Sequence, residues 1–333
     1  MKCLAITDLF IPKDMMEKGL IQLRAAGMKV VIREWSHSDL EELQHDNLKI
    51  EQQGSEAVKL PESIYQDIEE YDVIITQFAP INENVIKQAT NLKLIGVLRG
   101  GMENVHLKSA TDRGIQVLNT PGRNARSVAE FTVGMILSEV RNIARSHAAL
   151  KQGEWKKDFV NAEFVPELKD KTVGIIGFGN IGQLVGKLLS SFDTNIIFYD
   201  PYFQGDTVFD QVDLNTLLQR SDIVSLHGRL TEETKHMIRY KHFEMMKHTA
   251  VIINTARSGL IKEEDLIRAL KNRLITGAAI DTFDDEPLDE NSPFVELDNV
   301  TITAHIAGST IDAFQNTPKK LAARILDWKE NQK

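Results

Sequence analysis

The hydrophobic residues of the chain form short runs that alternate with longer stretches of helical periodicity. The short runs contain β-branched residues and end in polar residues, which is typical of strands. Predicted strands cover residues 3–7, 29–32, 72–76, 94–98, 116–118, 172–176, 195–199, 223–226, 251–254 and 276–280. Because strands that alternate with helices form parallel sheets covered on both faces, the pattern predicts an α/β fold.

Two stretches interrupt this alternation, and one helical pattern is longer than the others. Residues 34–60 are polar and charged, which indicates an insertion or a surface helix with loops, and residues 151–171 form an excursion before a new α/β unit. Residues 126–150 combine apolar residues at helical spacing with several small residues. They predict one long helix, which would bridge two domains, face a second subunit or lie inside one domain.

Length and composition indicate two globular domains. The chain has 333 residues, of which 42% are hydrophobic and 26% are charged, an ordinary balance for a globular protein. Its formal net charge is −9. Since affinity for a phosphate backbone comes from clustered cations, this charge argues against a nucleic-acid partner.

The chain has one cysteine, Cys3, which excludes an internal disulfide and a zinc site built on cysteines. This usage is typical of a reducing compartment. No apolar stretch approaches the ~20 residues that cross a bilayer. Charges follow the N-terminus too soon for a secretion signal. We therefore expect a cytoplasmic protein with no metal and no membrane contact.

The strongest local motif is the G-x-G-x-x-G formed by Gly177, Gly179 and Gly182. A β-branched run precedes it, and an apolar stripe of helical spacing follows it. Gly177 would permit a tight turn, Gly179 would let the backbone approach a pyrophosphate, and Gly182 would let helix and strand pack closely. The pyrophosphate would lie on the helix N-terminus. Methyltransferases share such turns, so the motif alone does not establish hydride transfer.

The next predicted strand ends in Asp200, 18 residues past Gly182. A carboxylate at this place accepts hydrogen bonds from the ribose hydroxyls of NAD and repels the 2′-phosphate of NADP. Pro201 and Tyr202 follow, with no arginine for that phosphate, so the sequence favours NAD. The alternative is an ordinary turn carboxylate before proline.

Three further segments, residues 251–259, 279–288 and 303–310, contain polar residues of catalytic type. Two of them place a polar residue, Arg257 and Asp281, just past a strand, where ligands bind in doubly wound sheets. Each residue also has an ordinary interpretation. Arg257 could be a surface cation, and Asp281 a cap at a strand end. Glu286 could belong to a solvated acidic loop, and His305 could be a packed core histidine.

Together these motifs resemble the D-isomer-specific 2-hydroxyacid dehydrogenases, a family that includes phosphoglycerate dehydrogenase and glyoxylate/hydroxypyruvate reductase. The similarity covers nearly the whole chain and is closest from Leu94 to Thr310. It departs from the family at Gly228 and Arg229, where a small apolar residue and a proline are usual.

The resemblance implies a catalytic set of Arg257, Glu286 and His305. Arg257 offers a planar fork that fits a substrate carboxylate. His305 would exchange a proton with the substrate hydroxyl, since the pKa of an imidazole lies near the working pH. Glu286 would hydrogen-bond the other ring nitrogen. The activity implied is NAD-dependent interconversion of a D-2-hydroxyacid and its 2-oxoacid.

The resemblance also implies the contacts to NAD and to substrate. The implied cofactor-binding residues are Gly177, Gly179, Asn180, Ile181, Gly182, Asp200, Thr255, Ala256, Arg257, Asp281, His305 and Gly308. The implied substrate-binding residues are Gly100, Gly101, Arg257 and Arg99. Arg99 or Arg123 would contact the distal end of the substrate, where a cation suits a phosphate or a second carboxylate. The alternative places both arginines on the surface or between domains.

The architecture implied is two doubly wound parallel-sheet domains with a cleft between them. Residues 1–118 and 309–333 would form a flavodoxin-like substrate-binding domain, and residues 119–308 a Rossmann NAD-binding domain. A homodimer built on residues 126–150 is also implied. An alternative function is that of an NAD(H)-sensing binding protein without turnover, because transcriptional corepressors resemble this family.

Overall fold

The computed structural model describes residues 1–331, and the chain divides into two compact units. The first unit comprises Met1–Arg123 together with the chain from Thr310 onward, and the second comprises Asn124–Ser309. Each has its own parallel sheet.

The first unit is built on a five-stranded sheet. Its strands are β1 Lys2–Thr7, β2 Lys29–Glu34, β3 Val73–Thr76, β4 Leu94–Val97 and β5 Gln116–Leu118. They run parallel in the order β2-β1-β3-β4-β5, which is the flavodoxin-like order. The helices between them are α1 Lys13–Gly19, α2 Ile21–Ala25, α3 Leu40–Gln53, α4 Glu62–Tyr65, α5 Glu83–Gln88 and α6 Leu107–Asp112. A 3-10 helix covers Ile68–Glu70.

The second unit is built on a seven-stranded sheet. Its strands are β6 Thr172–Ile176, β7 Asn195–Tyr199, β8 Asp210–Gln211, β9 Ile223–Leu226, β10 Val251–Asn254, β11 Gly277–Ile280 and β12 Val300–Ile302. They are parallel, in the order β12-β11-β10-β9-β6-β7-β8. The order reverses at β6, which is the switch point where a Rossmann sheet binds its dinucleotide.

Helices cover both faces of this second sheet. They are α7 Ala125–Val140, α8 Ile143–Lys151, α9 Asn180–Ser190, α10 Leu214–Arg220, α11 Tyr240–Phe243, α12 Glu263–Lys271 and α13 Pro293–Glu296, with 3-10 turns at Ala162–Phe164 and Ser258–Leu260. Strands β9, β10 and β11 are buried along their whole length. This explains their continuous apolar sequences, because a sheet covered on both sides has no polar face.

The last helix, α14 Ile311–Glu330, belongs to the first unit although the second unit lies between them in sequence. Its Leu321, Ala322 and Ile325 are buried among residues of β1 and β3. Thr310 caps its N-terminus, with its side chain accepting a hydrogen bond from Ala313 N. Truncating Leu321 to Ala would remove about 2–5 kcal/mol of stability.

The α/β fold and the parallel sheets predicted from the sequence are confirmed. All ten predicted strands are present, with bounds that differ by no more than two residues. Two strands were not predicted, β8 and β12, because they have two and three residues and no apolar run. The polar stretch 34–60 contains α3, whose Leu43 and Ile50 are buried.

The prediction of one helix over residues 126–150 is wrong, since α7 and α8 are separated at Asn142. Asn142 has φ of 58°, a left-handed conformation that Asn tolerates better than most residues. Its buried amide donates to Asn161 Oδ1 at 2.7 Å, and its Oδ1 accepts from Arg145 Nη1 at 3.0 Å. These hydrogen bonds favour the break over a continued helix. Among residues 1–331, no helix combines the length and apolarity needed to cross a membrane.

Candidate active site

The turn between β6 and α9 requires glycine for steric reasons. Gly177 has φ of +88°, and a Cβ there would lie 2.5 Å from Gly228 N. A Cβ on Gly182 would lie 2.2 Å from the carbonyl oxygen of Gly177. Both positions therefore exclude every other residue type, as the motif predicts. The Gly177 N–H donates to Tyr199 O at 2.9 Å, which ties the turn to β7.

The surroundings of Gly179 fit the pyrophosphate of a dinucleotide. In the described chain, residues 1–331, no atom lies within 4 Å of the place where a Cβ on Gly179 would be. Gly179 is the N-cap of α9, and no side chain of the described residues caps the N–H groups of this helix. Asn180 and Ile181 are the first residues of the helix. An open space beside free N–H groups at a helix N-terminus suits an anion.

Asp200 lies at the end of β7 and faces this turn. Its Oδ2 accepts from Phe178 N at 2.8 Å, and its Oδ1 accepts from Tyr202 N at 2.9 Å. The carboxylate is thus held beside the glycine turn, with lone pairs left for further donors. Its predicted contact with ribose stays a prediction.

His305 and Glu286 form a hydrogen-bonded pair. His305 Nδ1 lies 2.7 Å from Glu286 Oε2, and the two side chains are 46% and 29% exposed. The other carboxylate oxygen of Glu286 accepts from Phe283 N at 2.9 Å, which fixes the carboxylate plane. His305 has φ of 52°, a left-handed conformation, so the backbone of the loop turns sharply at this residue. The pair leaves Nε2 as the ring nitrogen available to a substrate.

The hydrogen bond between His305 and Glu286 shifts the pKa values of both side chains, and both shifts favour a charged imidazole. The hydrogen bond to Glu286 raises the pKa of His305 against the opposing effect of partial burial, and the charge of Arg257 also lowers it. Burial tends to raise the pKa of Glu286, but the hydrogen bonds from His305 and Phe283 outweigh it and the pKa falls. Each shift stabilises the ion pair His305⁺–Glu286⁻.

Arg257 follows β10 and is exposed. Its charge acts on both His305 and Glu286, so the structure brings the three predicted catalytic residues together. One guanidinium nitrogen donates to Ala256 O at 2.8 Å. The remaining donors have no hydrogen-bond partner among residues 1–331, so they suit a carboxylate bound in bidentate fashion.

Asn254 holds the turn that carries Arg257, a role not predicted from the sequence. Asn254 Oδ1 accepts from Ala256 N at 3.1 Å, and its amide donates to Arg257 O at 2.9 Å. An Asn at a strand end just before a turn is the pattern that could have found it, because Asn side chains stabilise such turns. Thr255 is buried, and its hydroxyl lies 2.7 Å from that of Thr132.

Asp281 positions the loop that carries His305. Its Oδ1 accepts from Thr303 Oγ1 at 2.6 Å and from Ile306 N at 3.0 Å, while Oδ2 accepts from Ala307 N at 2.9 Å. The carboxylate is fully buried. The sequence did not reveal this structural role of Asp281, and its contact with the cofactor stays a prediction. Gly308, just beyond, has no room for a Cβ, which would lie 2.3 Å from Asn124 Nδ2.

A second histidine, His227, follows β9 at the same edge of the sheet. Burial lowers its pKa to about 3, so the ring is neutral at physiological pH. Its Nε2 lies 2.8 Å from Ser225 Oγ, and its Nδ1 has no partner in the described part of the chain. A ring with this pKa is unsuited to proton transfer near neutral pH.

The predicted substrate loop lies in the first unit, after β4. A Cβ on Gly101 would lie 2.1 Å from Glu103 Oε2, whereas the nearest atom of the described residues to a Cβ on Gly100 is Pro121 Cα, at 3.9 Å. The loop is held by Asn119 Nδ2, which donates to Gly100 O at 2.6 Å, and by Thr120 N, which donates to Arg99 O at 3.0 Å. The substrate contacts of Gly100, Gly101 and Arg99 stay predictions.

The strand order and the glycine turn define a dinucleotide-binding α/β protein. A family model described as D-isomer specific 2-hydroxyacid dehydrogenase, NAD binding domain, matches residues 133–307. The chain belongs to this family.

Several relatives support this assignment. A glyoxylate reductase of Thermofilum pendens is 42% identical over 273 residues, which cover 80% of each chain. A hydroxypyruvate reductase of Thermotoga maritima is 40% identical over 78% of this chain and 85% of its own. A D-3-phosphoglycerate dehydrogenase of Methanocaldococcus jannaschii is 41% identical over 76% of this chain, but this match covers only 48% of that longer protein.

Solved structures share the fold over the full length. A D-2-hydroxyisocaproate dehydrogenase superposes with a TM-score of 0.78 at 26% identity, covering 100% of this chain and 98% of its own. The NAD complex of a D-isomer specific 2-hydroxyacid dehydrogenase from Lactobacillus delbrueckii ssp. bulgaricus gives 0.80 at 22% identity, covering 99% and 98%. At that identity the second comparison supports the fold alone.

The matching family model confirms NAD as the cofactor, and the solved structures confirm the expected fold class. The family membership also establishes the chain as an NAD-dependent 2-hydroxyacid dehydrogenase at the level of the family. The methyltransferase alternative is excluded. The alternative of an NAD-sensing protein without turnover gains no support from these relatives.

Proposed function

We propose that the protein interconverts a D-2-hydroxyacid and its 2-oxoacid, with His305 as the acid/base. The observation that carries this proposal is the 2.7 Å pair of His305 and Glu286, placed with Arg257 at the edge of the NAD-binding sheet. Arg257 binds the substrate carboxylate with the donors that Ala256 leaves free. This contact fixes C2 of the substrate, because a bidentate guanidinium defines both position and plane.

His305 moves the proton at the C2 oxygen. In the oxidation, Nε2 takes the hydroxyl proton while the C2 hydrogen leaves as hydride and the carbonyl forms. In the reduction, the imidazolium returns that proton to the oxygen. When bound, NAD accepts or supplies the hydride. Glu286 keeps Nδ1 protonated, which fixes the tautomer and stabilises the imidazolium.

The names of the relatives suggest the first substrates to test. They are a glyoxylate reductase, a hydroxypyruvate reductase and a D-3-phosphoglycerate dehydrogenase. The decisive experiment measures NADH absorbance with glyoxylate, hydroxypyruvate and phosphohydroxypyruvate, for wild type and for Arg257→Gln. We expect turnover with at least one acid, and a loss of about 100-fold or more in kcat/KM in the variant.

Absence of turnover with every 2-oxoacid, in a protein that still binds NADH, would contradict the proposal. It would favour the alternative function as a NAD-sensing protein. An Arg257→Gln variant within a few-fold of wild type would instead contradict only the role of Arg257. Arg24, an exposed cation of the first unit, offers the matched control Arg24→Gln.

Two further predictions belong to this proposal. The homodimer built on residues 126–150 is supported by the exposed apolar side chains of Ile143 and Leu150 on α8, and light scattering of the purified protein tests it.

The cytoplasmic location is supported by the single cysteine, Cys3.

A further inference from the structure

The carboxyl edge of the five-stranded sheet carries two arginines joined by aromatic rings. The guanidinium carbon of Arg99 lies 5.3 Å from the centroid of the Phe78 ring, and that of Arg123 lies 5.0 Å from the centroid of Phe314. Phe10 connects the two, with its centroid 5.8 Å from Phe78 and 5.0 Å from Phe314. We call Phe78, Phe10 and Phe314 the aromatic bridge.

The two arginines differ in how their charges are compensated. Arg99 donates from Nη1 to Asn47 Oδ1 at 2.8 Å and from Nη2 to Glu51, and Nη2 also lies 3.6 Å from Glu103. Two carboxylates therefore face one guanidinium, and both Nη atoms already have protein acceptors. These contacts hold α3 and the Gly100–Gly101 loop against the sheet, which is a structural role.

Arg123 has the opposite environment. Its Nη1 is buried and has no hydrogen-bond partner among residues 1–331. Burial lowers its pKa to about 10, so the guanidinium stays charged at pH 7. The charge of Arg99 also disfavours the charged guanidinium, whereas the carboxylate of Asp8 favours it; Asp8 Oδ1 already accepts from the N–H groups of Phe10 and Ile11, at 2.9 and 3.0 Å. A buried donor of a charged group without an acceptor is costly unless a ligand or water supplies one.

A neighbouring side chain at the same edge is also unpaired. Gln77 precedes Phe78, is fully buried, and has neither amide atom hydrogen-bonded in the described part of the chain. Arg123 is connected to the predicted substrate loop through the segment 119–121, since Pro121 Cα lies 3.9 Å from the Cβ position of Gly100. An acceptor that reaches Arg123 thus enters beside the glycines expected to face the substrate.

We propose that Arg123, and not Arg99, is the specificity-determining residue of the first unit. It binds an anionic group that the 2-oxoacid carries in addition to its C1 carboxylate. The shared chemistry is a carboxylate or phosphate on the carbon distal to the keto acid. The Phe314 ring of the aromatic bridge lies against the Arg123 guanidinium, with 5.0 Å between the guanidinium carbon and the ring centroid, and lower exposure to water strengthens an ionic hydrogen bond. This inference rests on the proposed function for its substrate, but the anion site itself belongs to the first unit alone.

The experiment compares matched pairs of 2-oxoacids, phosphohydroxypyruvate with hydroxypyruvate and oxaloacetate with 2-oxobutyrate. We expect wild type to have the higher kcat/KM for the anionic member of at least one pair, and the two pairs distinguish phosphate from carboxylate. In Arg123→Gln we expect kcat/KM for that acid to fall by about 10- to 100-fold, the effect of one charge-assisted hydrogen bond. The neutral member should change by no more than about 3-fold.

Two controls make the result specific. Arg123→Lys keeps the charge but not the fork, so its loss should be smaller than that of Arg123→Gln. Arg24→Gln removes an exposed charge from the same unit and should leave the preference unchanged. A wild type that prefers the neutral member of both pairs would overturn the inference, and so would an Arg123→Gln variant that loses both members equally. The wild-type preference is measured without any variant, so this part of the test does not depend on whether Arg123→Gln folds.

A failure of the proposed function is distinguishable from a failure of this inference. If wild type reduces no 2-oxoacid, calorimetric binding of inorganic phosphate and of succinate still tests the anion site. Binding that disappears in Arg123→Gln and persists in Arg24→Gln supports the site. No binding of either anion to wild type overturns it.

Discussion

Two histidines follow strands at the same edge of the seven-stranded sheet, and their environments differ completely. His227 after β9 is partly buried, with its Nδ1 shielded from solvent and its Nε2 paired with the Ser225 hydroxyl, and this burial lowers its pKa to about 3. His305 after β12 is about half exposed, and its hydrogen bond to Glu286 raises its pKa. The same side chain is thus held neutral at one place and favoured in its charged form at the other.

The difference shows that position at a strand end does not by itself make a histidine catalytic. Burial without a charged partner disfavours the imidazolium, whereas a carboxylate partner and access to solvent favour it. His227 supports the turn next to Gly177 through its backbone, whose N–H donates to Ile176 O at 2.7 Å. Three variants test this contrast.

The largest effect is expected for His305→Ala. Without the imidazole, no group at this position exchanges the proton, and kcat should fall by about 10²- to 10⁴-fold. NADH binding, measured by fluorescence titration, should stay within about 3-fold of wild type. His45→Ala, which removes an exposed histidine on α3, is the matched control. Turnover close to that of the control would remove His305 from the mechanism.

Glu286→Gln should have a smaller effect with a distinct signature. Loss of the carboxylate removes the main cause of the raised pKa of His305, so that pKa falls. Reduction requires the imidazolium, and its rate declines as pH rises through this pKa. The falling limb of kcat/KM for 2-oxoacid reduction should therefore move to lower pH, with a rate loss of about 10- to 100-fold at pH 7. If the falling limb of kcat/KM stays at the same pH in Glu286→Gln, the result would argue that Glu286 does not set the pKa of His305.

Glu290→Gln serves as the control for Glu286→Gln. Glu290 is an exposed carboxylate in the same connection between β11 and α13. Because Glu290 takes no part in the His305 hydrogen bond, Glu290→Gln should change neither the reduction rate nor the falling limb of the pH profile of kcat/KM.

The smallest effect on activity, and the clearest on stability, is expected for His227→Gln. The pKa of His227 is about 3 in the folded state and about 6.5 for an ordinary histidine in the unfolded chain, so between these pH values the unfolded chain binds one more proton. The contribution of His227 to stability therefore decreases as pH falls through this window, by up to about 1.4 kcal/mol per pH unit. His305 contributes with the opposite sign, because its folded pKa is raised.

Urea unfolding of wild type and His227→Gln at pH 6.5 and pH 4.5 measures this contribution. The variant should lose less stability on acidification than wild type does, while its pH–rate profile stays unchanged. Equal losses in both proteins would mean that His227 is protonated in the folded state.

The sequence predicted the α/β architecture well, because buried parallel strands have continuous apolar runs that are easily recognised. It could not predict β12, whose three residues include a threonine, although this strand leads into His305. The break at Asn142 also escaped prediction. The apolar periodicity continues past it, and only a contact with Asn161, 19 residues away, reveals it.

The reactive side chains of the candidate site were predicted from the sequence, but the residues that hold them in position by hydrogen bonds were not. A resemblance in motif identifies Arg257, Glu286 and His305, because chemistry restricts the residue types at those places. The clamp of Asp281 on Thr303, Ile306 and Ala307 joins residues more than 20 positions apart. Local sequence carries no information about such pairs until the strand order is known.

The placement of α14 bears on how the chain is made. The first unit takes residues from both ends of the sequence, whereas the second is continuous from Asn124 to Ser309. On a ribosome, the continuous unit emerges whole and can fold during synthesis. The other unit must wait with Leu94 and Ile75 lacking their α14 neighbours until Leu321 and Ile325 appear. During that interval an exposed apolar surface invites chaperone binding.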